Sequence, residues 1–163
     1  MSVAFVKEPN DLQVETLPDR DLGTDLNLVT ARGLHLIETE LNELEERLEA
    51  ARTADDRIAM ATIQRDLRYW NARRASAELV APPADADTVH FGSRVTVERD
   101  DGRRQTFRIV GIDEADPAQG LLSYLSPLAR GMAGKEVGDV VPAGHDDAEI
   151  VDIEMASDDA SKA

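Results

Sequence analysis

The sequence predicts an α+β fold. An N-terminal antiparallel coiled-coil hairpin is followed by a small antiparallel β-sheet domain with one short helix. Three observations lead there. Two consecutive stretches space their apolar residues alternately by three and four, which marks a helical seam. The link between them, Thr53-Ala54-Asp55-Asp56, is short, and short links join antiparallel helices. After Ala81-Pro82-Pro83-Ala84-Asp85 breaks the helix, the period falls to two, as in strands.

The elements follow in order. Residues 1–29 are a polar, acidic lead without a sustained period, and are expected to be disordered. The first seam is Leu34, Ile37, Leu41, Leu44, Leu48 and Ala51, with Thr30 as its cap and an end near Arg52. The second is Met60, Ile63, Leu67, Trp70, Arg74 and Ala77, with Arg74 as its single polar member. Thr53 or Asp55 is the expected cap of this second helix. The hairpin spans 30–81 and the linker 82–88.

Strands are then expected at Arg94–Arg99, Gln105–Val110 and Leu121–Leu125. Asp100-Asp101-Gly102 is the first turn. Ser126 as N-cap and Pro127 at the first helical position open a short helix, Leu128 to Glu136. Gly138-Asp139 turns into Val140-Val141, and a last strand runs from Ala148 to Ile153. The globular domain is 89–154, and 155–163 is an expected disordered tail.

Composition narrows the function. The chain has 163 residues, 18 Lys+Arg and 33 Asp+Glu, a formal charge of −15. That charge argues against wrapping DNA or RNA by the overall field. Cysteine is absent, which excludes a disulfide framework, a cysteine-ligated zinc and a thiol nucleophile. No apolar run is long enough to span a membrane. The opening MSVAFVKEPNDLQ does not read as a signal peptide, so a cytoplasmic location is expected. His35, His90 and His145 lack ligand spacing. Ser123 and Ser126 have no evident histidine partner for a hydrolytic triad. Gly131 and Gly134 do not make a phosphate loop.

Several blocks occur in a telling order. They are Phe91-Gly-Ser-Arg-Val-Thr-Val97, Phe107-Arg-Ile-Val-Gly111, Asp113-Glu-Ala-Asp116, Ser126-Pro-Leu-Ala-Arg-Gly131 and Gly134-Lys-Glu-Val-Gly-Asp139. Thr30-Ala-Arg-Gly33, with Leu36, Glu40, Leu41 and Leu44, precedes them. Over residues 30–154 the chain resembles the Gre-factor family (GreA/GreB) of bacterial transcription elongation factors. A monomer is expected, and the resemblance implies a factor that binds RNA polymerase at the rim of its secondary channel, inserts the hairpin, and meets nascent RNA only there. Leu125, Ser126 and Pro127 match the docking loop. The tip acids would help hold the polymerase's own Mg2+, with no cofactor or stably bound metal of the chain's own, and no catalytic residue of its own.

The tip departs from the family pattern. Where the family has an acid, two spacers, an acid and Asn, this chain places Asp56, Ala59 and Met60. Asp55 and Asp56 are the remaining tip acids, and adjacent residues on a helix diverge by about 100°. Each helix also looks shorter than the family pattern by on the order of one heptad, ~10 Å. A short-armed branch described as a regulator of nucleoside diphosphate kinase gives an adaptor-type alternative. The globular domain is FKBP-like in shape, so prolyl isomerisation is a further alternative. It has few aromatics for such a pocket, namely Phe91, Phe107 and Tyr124.

Two more groups have competing readings. Arg65, Arg68, Arg73 and Arg74 of the second helix could meet RNA or an acidic polymerase surface. As a solvated face they would instead complement the acidic first helix. Tyr69 and Trp70 are expected mostly in the core. Asp113, Glu114 and Asp116 form an acidic loop expected to be a solvated turn.

Overall fold

The structure, a computed structural model, describes residues 16–82 and 85–155. The expected disorder of 1–15 and 156–163 lies outside the described residues, as do Pro83 and Ala84 of the linker. The elements are β1 (Asn27–Val29), α1 (Ala31–Thr53), α2 (Arg57–Ser76), β2 (Ala77–Leu79), β3 (Ser93–Arg99) and β4 (Arg104–Val110). A short 3-10 helix, Pro117–Gln119, precedes β5 (Leu121–Ser123), α3 (Pro127–Met132), β6 (Val140–Ala143) and β7 (Asp146–Met155). The fold is α+β. The chain divides into two compact units. One holds the residues through Thr24 with Glu38–Ala75, and the other holds Asp25–Ile37 with the chain from Ser76 onward.

The first unit is a helical hairpin. Leu44, Leu48 and Ala51 of α1 meet Ile63 of α2 in a buried cluster, with Met60, Leu67 and Trp70 packed against it. The glutamate spacers of α1 stay outside, so the seam emerges as its periodicity predicts. The end of α2 differs from expectation. Arg73 is the buried residue, at 2% exposure, while Arg74 is exposed and pairs with Glu38 at 3.5 Å. Ala77 leaves the helix for β2. The reason is a segment the sequence reading leaves unstructured: Leu22 brings its carbonyl to the Arg73 guanidinium, at 3.5 Å.

The lead therefore departs from expectation wherever it is described. Residues 17–22 contact α2. Residues 27–29 form β1, paired in parallel with β2 in register Asn27↔Ala77 to Val29↔Leu79. Both partners lie about fifty residues away in sequence, beyond the reach of any local pattern.

The second unit is built on a five-stranded sheet in the order β5-β4-β3-β7-β6. All neighbours are antiparallel except β4 and β5. The parallel pair arises because the chain crosses back through the 3-10 helix before β5. Val95, Val97, Ile109, Leu122, Met132, Val141, Ile150 and Ile153 form the core. Gly102, at φ +82, takes the β3–β4 turn. There the Arg103 backbone N–H, and then its guanidinium, hold the Asp101 carboxyl below the usual range. Helix α3 stops at Met132 rather than Glu136 because Gly134, at φ +74, turns the chain and donates to the Val89 carbonyl at 2.8 Å.

The acidic loop is not the solvated turn expected. Glu114 is 5% exposed. It accepts the Thr30 hydroxyl at 2.6 Å and the Arg32 guanidinium at 2.9 Å. Thr30 in turn caps α1, accepting the Gly33 N–H at 2.9 Å. A Cβ at Gly33 would stand 2.9 Å from Glu114 Oε2. At Gly111 it would stand 2.3 Å from the Leu28 carbonyl oxygen of β1.

Two stability outcomes follow from this packing. Glu114→Ala orphans a buried hydroxyl and should cost about 2–3 kcal/mol, whereas Arg32→Ala, whose side chain is 43% exposed, should cost under about 1 kcal/mol. Gly111→Ala collides with backbone rather than with a flexible side chain and should cost about 1–3 kcal/mol. Denaturant midpoints check both, and equal midpoints for Glu114→Ala and Arg32→Ala would remove the anchoring role.

Candidate functional site

The hairpin tip is set by how α1 ends. The Asp56 N–H donates to the Ala51 carbonyl at 3.0 Å, and the Asp55 N–H to that of Arg52 at 3.1 Å. This pair of bonds is a Schellman closure, which needs a left-handed residue after the helix. Asp55 takes that place, at φ +51. It is the one non-glycine residue with positive φ among the described residues. Aspartate tolerates this conformation better than most side chains, though not freely.

Asp56 then starts α2. Its Oδ1 accepts the Ala59 N–H at 3.1 Å, and its carbonyl accepts that of Met60 at 2.9 Å. The cap is thus Asp56, where Thr53 or Asp55 was expected. Thr53 remains in α1 and donates its hydroxyl to the Glu49 carbonyl at 3.1 Å. Both aspartates are exposed. The turn takes both residues out of regular helix. Asp56 keeps Oδ2 beyond its cap bond, and no shared ligand geometry is built into the tip itself. Beside it a shallow groove is lined by Asp55, Arg57, Met60, Ala61 and Gln64, next to Ile58, an apolar side chain 68% exposed. Among the described residues no three His, Asp or Glu side chains gather closely enough to hold a metal ion.

The four arginines do not form one open patch. Arg65 donates through Nε and Nη2 to Asp66, at 3.2 and 3.1 Å. Arg68 pairs with Asp19 at 2.5 Å and donates to the Leu17 carbonyl at 3.1 Å. Arg73 is buried and Arg74 pairs with Glu38. Sequence reasoning missed Arg20, whose guanidinium carbon lies 3.8 Å from the Tyr69 ring centroid and 5.9 Å from that of Trp70. Tyr69 and Trp70 meet edge to face at 5.1 Å. No local signal marks Arg20, because its partners come from another part of the chain.

In the second unit, Leu125, Ser126 and Pro127 lie between β5 and α3. The Ser126 N–H donates to the Ser123 carbonyl at 2.9 Å, and the Leu125 N–H to the Ser123 hydroxyl at 3.2 Å. Ser126 Oγ accepts the Ala129 N–H at 3.3 Å, as an N-cap does. Pro127 is exposed, while Leu125 is half-buried. The loop is therefore held by two serines and presents a proline. Phe91 and Tyr124 pack edge to face at 5.6 Å. With Phe107 they lie against the core.

The family profile described as "Transcription elongation factor, GreA/GreB, C-term" matches residues 84–155. Transcription elongation factor GreB of Pseudomonas aeruginosa is 32% identical over 160 residues, covering 84% of this chain and 94% of that one. The chain belongs to the GreA/GreB family. GreA of Alkalilimnicola ehrlichii is 33% identical over 77% of this chain and 95% of the relative. GreB of Neisseria meningitidis is 43% identical over 101 residues, which is 58% of this chain and 62% of the relative, so that match spans less than two thirds of its length. GreA factor homolog 1 of Thermus thermophilus aligns with a TM-score of 0.39 at 20% identity, over 80% of this chain and 99% of that one.

The tip geometry has a measurable consequence. Asp56→Ala removes the α2 cap and should cost about 1 kcal/mol. Asp55→Gly relieves the left-handed strain and should stabilise by about 1 kcal/mol. Opposite signs in thermal unfolding are the expected outcome; matching signs would contradict the turn described.

Proposed function

We propose that this Gre-family chain is a transcription elongation factor that binds bacterial RNA polymerase and acts through its secondary channel. Leu125, Ser126 and Pro127 dock on the channel rim. The hairpin enters, and Asp55 and Asp56 come beside the polymerase's catalytic Mg2+. That ion belongs to the polymerase, and the chain brings no cofactor. Carboxylate oxygens suit magnesium, which keeps several waters and takes few protein ligands. Cleavage of backtracked RNA is then hydrolysis at the polymerase's own centre, with the tip helping to hold the ion or its water.

The observation that carries this reading is the tip turn. Two adjacent, exposed carboxylates sit off the helix, one of them in a left-handed conformation that costs stability. A second reading is supported by the Asp56 cap. That carboxylate already uses Oδ1 on the Ala59 N–H, which favours a factor that occupies the channel and modulates elongation without cleavage.

Stalled, backtracked elongation complexes separate the readings. Added protein should shorten the RNA, and Asp55→Ala should slow shortening at least about tenfold, a barrier change of about 1.4 kcal/mol. Polymerase binding without any RNA shortening would leave channel occupancy. Absence of polymerase binding would instead favour an adaptor-type regulator resembling the nucleoside diphosphate kinase regulator branch.

A further inference from the structure

Residues 17–22 do something unusual for an acidic segment outside the region of family resemblance. They lie along α2 and engage two of its cations, Arg68 and Arg73. The Leu17 carbonyl accepts from Arg68 at 3.1 Å, and the Asp19 carboxylate pairs with the same guanidinium at 2.5 Å. Arg20 reaches Asp66 at 3.5 Å and covers the Tyr69 ring at 3.8 Å. The Leu22 carbonyl accepts from buried Arg73 at 3.5 Å. The face is thus read through backbone carbonyls and a carboxylate together, as peptides are read.

We infer that this α2 face is a docking surface for an extended acidic segment of a partner protein, and that residues 17–22 are its internal occupant. Three observations favour a peptide over a nucleic acid. Two of the bonds run to backbone carbonyls, which a phosphate backbone does not supply. Arg73 is 2% exposed, and the Leu22 carbonyl is within reach of it at 3.5 Å. Arg20 of the segment pairs with Asp66 of α2 at 3.5 Å, a cation contact that a nucleic-acid backbone cannot make.

The occupant is poised to leave. The Asp19 side chain is 73% exposed and that of Arg68 43%, so their pair is screened by salt and weakly held. Tethering nonetheless keeps the segment at a high effective concentration. An external peptide binds only the open fraction, so its apparent affinity is reduced by that fraction. The inference holds whether or not the hairpin enters a polymerase channel.

The test uses the full chain and a fluorescein-labelled oligoglutamate peptide. Trp70, the single tryptophan, reports the occupant through its emission. Asp19→Ser combined with Arg20→Ser, and separately Asp19→Lys, should each shift that emission and tighten peptide binding about tenfold. Adding Arg68→Ser to the double variant should abolish the gain. Far-ultraviolet circular dichroism confirms that helicity is kept, and the two designs guard against one failing to fold. Shifted emission without tighter binding would mean the segment is only a brace and would overturn the inference. So would unchanged emission in both variants, or an oligouridylate of equal charge binding more tightly than the peptide.

Discussion

Burial of the Glu114 carboxylate is the constraint around which the sheet-bearing unit is organised. A buried charge is costly unless it is paired and hydrogen-bonded. Glu114 meets that condition with the Thr30 hydroxyl and the Arg32 guanidinium, and it stands at the first turn of α1, where the helix dipole favours an anion. Gly33 leaves room for it, and Gly111 lets the backbone of β1 approach. Three features of the sequence, Thr30-Ala-Arg-Gly33, the acidic loop and Gly111, are one interaction seen from different points of the chain. That interaction, with the β1–β2 pairing, ties residues 27–33 into the unit that carries the Ser126-Pro127 loop.

The tip shows a similar economy. Residues 54–56 end one helix and begin the next, leaving little freedom for either aspartate. Asp55 sits where glycine is the usual choice, and Asp56 holds the cap.

Charge tells a related story. The sequence places an acidic helix beside a basic one and leaves an acidic lead apart. In the folded hairpin the lead takes part in that balance: Asp19 pairs with Arg68, and Arg20 with Asp66 and Tyr69. The arginines that look like an open basic face are individually engaged. Steering by this helix depends on what covers it as well as on its own residues.

The sequence by itself determined most of the element pattern. Spacings of three and four produced the buried seam from Ile37 to Ala51, period two produced β3 and β7, and Ser126-Pro127 opened α3 as capping chemistry requires. Its ordered motifs also pointed to the GreA/GreB family. Those features are local, so neighbours a few residues apart suffice to specify them. Tertiary structure alone decided which acid was buried, which of Arg73 and Arg74 faced inward, that Asn27–Val29 became a strand, and that residues 17–22 lay on α2. Each of those outcomes depends on a partner far away in sequence, and burial changes the cost of a charge only once that partner is in place.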